Sequence, residues 1–230
     1  MTAADNNESL DMNFLFYYGI TNRLAHIGQS SMIISLLAGA MVYFIFQGQV
    51  SALLLNAWLG ILIVCSLIRY LLIIRFWRMD ATASSIRSWL RRYCLFVYAS
   101  ASCWGVLPLV EIFQTSEWAR AFVVFVLTGI SAGGMVSLYP VLRAAIPYIL
   151  IILLPLLYAM AGEEDTDKIL MAVMCGLYII MLVRSTYVLN FNSNKAIRLD
   201  IENKELFRFL KKTHGPEIDT LSAGSESSAQ

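Results

Sequence analysis

Charge is what this chain has least of. Of its 230 residues 14% are charged, where a soluble domain carries about 25%. Hydrophobic residues make up 58%, and the mean hydropathy is +0.66. The net charge of +1 supplies no basic field for nucleic acid, and no basic–aromatic RNA-binding pattern is present. Histidine is nearly absent. The two there are, His26 and His214, lie outside the apolar runs. That excludes a His–Ser catalytic pair in the bilayer, a haem held by two intramembrane histidines, and a His-rich metal sensor. There is no HExxH, hence no metalloprotease site of that kind. No aspartate interrupts an apolar run, which argues against an aspartyl intramembrane protease. The four cysteines (Cys65, Cys94, Cys103 and Cys175) form no CxxC pair and read as small buried hydrophobes rather than disulfide or metal ligands. No enzyme activity, cofactor or metal is expected. The opening MTAADNNESLD lacks the basic n-region and cleavage site of a secretory signal, so it is expected to be retained.

What the chain does have is apolar length. Six runs of bilayer-crossing size occupy about 30–47, 51–74, 92–113, 118–139, 143–161 and 168–190. The fifth holds Pro147 and Pro155, which membrane helices tolerate where neighbours re-satisfy the freed carbonyls. The expected fold is an all-α membrane protein: a six-transmembrane-helix bundle with a short cytoplasmic C-terminal helix. Basic residues alternate between loops. Arg23 precedes the first span; Arg75, Arg78, Arg87, Arg91 and Arg92 lie between or flanking the second and third. Arg143 separates the fourth and fifth, and a basic stretch follows the sixth. The intervening loops GQV, QTSE and GEEDTDK contain no arginine. The positive-inside rule then places both termini in the cytoplasm. The division expected is a cytoplasmic segment over 1–29, a transmembrane module over 30–190, a signalling stub over 191–213 and a disordered tail over 214–230. Within the first segment NFLFYYGITNRLAHIG, residues 13–28, suits a helix lying in the headgroup region.

Polar groups in the spans are the places to look for function. Asn56, Trp104 and Glu111 are candidate ligand-binding residues: an amide in span two, a large ring beside a small face, and a carboxylate near the outer end of span three. Arg69 and Arg184 lie within about two turns of the cytoplasmic ends of their spans, close enough to snorkel. Ala99 and Cys103 in YASASCWG, with Gly129 and Gly133 in LTGISAGGMVSLYP, make small faces that predict close packing of spans three and four. Beyond span six, Ala196, Leu199, Asn203, Leu206 and Leu210 fall at heptad positions a, d, a, d, a, with Leu189 in the same register. A 3.5-residue seam predicts a dimerising helix, with Asn203 fixing register, and a homodimer as the assembly. Gly215 and Pro216 are expected to end that helix.

Three stretches carry a resemblance. They are the Trp104–Gly105 pair, GISAGGMVSLYPVLRAAIPYILIILLPLLYAM from 129 to 160, and RLDIENKELFRFL from 198 to 210. Together they resemble the six-span sensory module found at the N-terminus of bacterial GGDEF diguanylate cyclases, EAL phosphodiesterases and hybrid histidine kinases. The resemblance covers about residues 15–212 and implies an inner-membrane sensor whose stub leads to an output. No GGDEF signature or kinase phosphoacceptor follows, and HGPEID does not suit a helical phosphoacceptor site. The ending SAGSESSAQ favours a stand-alone sensor subunit that acts on a two-component or cyclic-di-GMP partner. The competing expectations are a small transporter or channel, or a passive scaffold subunit in the lipid bilayer.

Overall fold

The computed structural model describes residues 3–79, 82–110, 117–161 and 166–227. Among them six α-helices follow one another and no strand forms: α1 (Ala3–Phe46), α2 (Ala52–Trp77), α3 (Ala83–Gly105), α4 (Glu117–Leu138), α5 (Leu142–Ala161) and α6 (Thr166–Ser227). Five stretches are long and apolar enough to cross a membrane: Phe14–Phe46, Ala52–Trp77, Glu117–Leu138, Leu142–Ala161 and Ile169–Lys204. The chain is therefore a multi-pass membrane protein by length and composition. Helix α3 does not reach that hydropathy, because Arg87, Arg91, Arg92 and a run of serines occupy its first half.

Local chemistry sets the helix ends. Gly48 adopts φ +89°, a left-handed turn that an L side chain resists, and Gln49 N–H donates to Phe46 O at 3.0 Å. This short connection makes α1 and α2 antiparallel neighbours. Helix α3 begins at Thr82, whose hydroxyl accepts from Ser85 N–H at 3.3 Å, an N-cap. It ends at Gly105, not near residue 113, and a single 3₁₀ turn over Leu107–Leu109 follows. Pro108 is the cause: it has no N–H to offer the carbonyl one turn back. Pro140 stops α4 in the same way, and the chain re-enters a helix at Leu142. Pro147 and Pro155 leave α5 helical throughout.

Helix α5 is the hub. It packs against α3, α4 and α6, while α1 lies against α2, α4 and α6. Two bonds pin α3 along α2. Trp89 Nε1 donates to Leu72 O at 2.6 Å, and Trp58 Nε1 donates to Cys103 O at 2.7 Å. On each helix the two points lie about 21 Å apart, fourteen rises of 1.5 Å.

Two expectations about the ends need correcting. Residues 13–28 do not form a separate surface helix; they are the middle of the continuous α1, because no proline or capping turn interrupts them. Tyr18 packs inward on Phe76 at a ring separation of 6.0 Å, while Tyr17 and His26 stay exposed, the latter against Trp77 at 4.5 Å. At the other end α6 runs through Gly215 and Pro216 to Ser227, where the sequence predicts a stop and an irregular tail. Helical geometry continues there although Pro216 leaves the ladder one N–H short, which a helix accommodates at a cost of about 3 kcal/mol.

Candidate functional site

Helix α2 is apolar on nearly every side, and Arg69 is its one charge before Arg75. The structure turns that arginine inward. It is 4% exposed, so it does not snorkel. Its Nη2 donates to the Tyr93 hydroxyl at 3.3 Å, and its guanidinium carbon lies 5.4 Å from the Tyr93 ring centroid. Its Nε is buried and has no hydrogen-bond partner among the described residues. Tyr93 in turn stacks on Trp89 at 5.1 Å, and Trp89 meets Phe76 at 4.8 Å. An aromatic column thus climbs from the α2–α3 end of the bundle to Arg69.

Arg69 lines a cavity of about 410 Å³ that is open on one side. Its other walls include Ser30, Ser31 and Ser35 of α1, Gly129 and Gly133 of α4, and Tyr148 of α5. Gly129 and Gly133 face open space: a Cβ on either would meet nothing within 4 Å. They do not pack span three against span four. Helix α5 stands between those two, and the close approaches fall on other glycines. Gly105 lies against the Ile151 carbonyl of α5, and Gly134 lies under the Tyr148 ring. Ala101 and Ser100, rather than the half-buried Ala99 and Cys103, form the fully buried small face of α3. The sequence shows the small residues but not which side of each helix meets a neighbour.

The three ligand-binding candidates do not form one site. Trp104 is wholly buried, donates from Nε1 to Ser35 Oγ at 3.1 Å, and meets Trp58 edge-on at 5.4 Å. It fills the core. Asn56 is exposed on α2 and accepts from the Tyr43 hydroxyl at 3.0 Å, which ties α2 to α1. Glu111 lies outside the described residues. Arg184 is exposed, unlike Arg69. Among the described residues no three His, Cys, Asp or Glu side chains come together to hold a metal.

On α6 the stub residues Ala196, Leu199, Asn203 and Leu206 are all exposed, Leu199 at 50% and Leu206 at 59%. Leu210 is helical. The opposite face of the same helix is anchored. Asn190 Nδ2 donates to the carbonyls of Tyr139 and Pro140, at 2.8 and 3.0 Å, and so holds the α4–α5 turn. Arg23 of α1 donates to Ser193 Oγ at 2.9 Å, and Arg198 lies 5.3 Å from the Phe16 ring. Asn190 and Ser193 escaped the sequence reading, which used Arg23 only for its charge before the first span. The only signal for them was a polar face appearing in α6 one turn before its charges begin. Compared with known proteins, the chain matches no family model, no curated protein and no solved structure.

Proposed function

We propose that the chain is a sensory or regulatory protein of a bacterial inner membrane, with both termini in the cytoplasm. It relays a change in its helical bundle through α6 to a cytoplasmic stub. That stub pairs with a second copy and engages a signalling partner of the two-component or cyclic-di-GMP type. The protein performs no chemistry of its own in this reading. One observation carries it: α6 is a single helix with two different faces. One face is bonded to the α4–α5 turn through Asn190 and to α1 through Ser193; the other presents Leu199 and Leu206 unpaired. A shift of α4, α5 or α1 therefore moves the stub as a rigid extension, by as much as a stimulus favours one packing over the other.

Six crossings rather than five support the same-side termini. Helix α3 runs along α2 for about 21 Å between the two tryptophan bonds. A helix held at that depth on both ends serves as a span even with arginines in its first turns. An even count then gathers the arginine-rich ends on one side. The stub is short for a free coiled coil. Anchoring two copies in one membrane raises their effective concentration enough to offset that.

Cysteines placed singly at Leu199 and Leu206 in the full chain, in native membranes, provide the test. The expected result is a disulfide-linked dimer at both positions, with yield that changes when the bundle is perturbed. No crosslink at either position under any condition would overturn the pairing.

A further inference from the structure

Among the described residues the buried Arg69 has no counter-ion. A guanidinium keeps its charge wherever it is placed, and leaving one unpaired in a low-dielectric core costs several kcal/mol. Tyr93 offers one hydroxyl and a ring face, both neutral. The apolar runs contain no aspartate and, as their only glutamate, Glu111, which lies at the far end of span three. Among the described residues no carboxylate meets this charge, and a ligand from outside the chain would supply one. A second copy would bring the same spans and the same lack of carboxylates.

We propose that the cavity between α1, α4 and α5 binds the anionic headgroup of an amphiphile, carboxylate or phosphate, on Arg69. The volume of about 410 Å³ falls in the range of small-molecule sites, about 300–1,000 Å³. Two observations made separately agree on this ligand. Arg69 supplies an unpartnered buried donor, Nε, at the cavity wall. Gly129 and Gly133, four residues apart, supply a bare strip of helix with open space over it, where an acyl chain can lie. Beside that strip Ile34 and Val136 are exposed apolar side chains. Ser30 and Ser31 donate to Ile27 O and Gly28 O, so the hydroxyls in the lining that can donate to the head are those of Ser35, whose oxygen accepts from Trp104, and Tyr148. The buried lining thus carries the charge, at Arg69, and the exposed lining is apolar except for Ser30, an arrangement that suits an amphiphile entering from the bilayer. This binding does not rest on the relay reading. It is read on the bundle, whereas crosslinking at 199 and 206 reports the stub.

The experiment uses the full chain, purified in neutral detergent, with native mass spectrometry to count retained ligand. Oleic acid, phosphatidic acid and phosphatidylcholine are offered in parallel, and inorganic phosphate as competitor. At least one anionic amphiphile is expected to bind about tenfold or more above phosphatidylcholine, since a charged hydrogen bond carries that much. Which of the two binds names the head. Arg69→Gln is expected to erase the preference. Gly133→Leu, on the open strip, is expected to weaken binding several-fold with Arg69 intact, and it gives the answer if the Arg69 variant does not fold. Equal retention of anionic and neutral lipid overturns the proposal. So does an unchanged preference in Arg69→Gln, unchanged binding in Gly133→Leu, displacement by inorganic phosphate alone, or a Gly133→Cys disulfide dimer formed at the expense of lipid.

Discussion

The bundle contains two polar insertions, and they are built differently. In one, around Trp58 and Trp104, two indole N–H groups each find an acceptor, at Cys103 O and Ser35 Oγ, and the rings meet edge-on. Nothing charged is involved, both N–H groups are met, and the cavity of about 320 Å³ beside Trp58 and Cys103 is apolar. In the other, around Arg69, a full charge faces one phenol, its Nε is unmet, and a cavity lies alongside. A buried group whose hydrogen bonds close on themselves rigidifies a core. One left open asks for something else. The first insertion is packing and the second is a site, although both are aromatic and both sit at α2–α3 contacts.

The comparison breaks most visibly at Trp104. Trp104→Ala removes a wholly buried indole at the meeting of α1, α2 and α3. It is expected to cost about 3–5 kcal/mol, read as a large fall in thermal midpoint or loss of folded protein in detergent. A smaller effect separates the two kinds of glycine. Gly105→Ala drives a Cβ into the Ile151 carbonyl, and backbone cannot yield, so a loss of about 1–3 kcal/mol is expected. Gly133→Ala meets nothing and gains helix propensity, so the same melt should be unchanged or higher by about 0.5–1 kcal/mol. The smallest effect, and the one whose sign sharpens the comparison, is at Arg69. Arg69→Met keeps the length and removes an uncompensated charge. In lipid-free detergent the midpoint is expected to hold or rise by about 1 kcal/mol, as when buried ionic groups give way to hydrophobes. A loss as large as that of Trp104→Ala would show that Arg69 is a structural member of the core after all.

Parts of this were legible in advance. The apolar runs mark α1, α2, α4, α5 and α6, and the arginine-rich loops mark one end of the bundle. Leu199 and Leu206 of the heptad seam are exposed, as are Arg198, Asp200 and Asn203 beside them. Span three was misplaced because apolar residues continue past Gly105 into the 3₁₀ turn at Pro108, and hydropathy does not register a stop there. Arg69 was assigned to the membrane surface because its distance from the helix end allows a snorkel. Sequence spacing could not show that Tyr93 of α3 stands on the inward side to receive it.

The helical class and the multi-pass character were determined by the sequence alone, because hydrocarbon thickness acts on the chain locally; of the six runs it marked, five are long and apolar enough as helices to cross. Which face of each helix turns inward was decided only by the tertiary structure. Lipid tails are as apolar as a helix bundle, so no hydrophobic difference tells Gly133 from Gly134 or aims Arg69. Packing did that: the Tyr148 ring took the place over Gly134, and the strip beside the buried charge was left open.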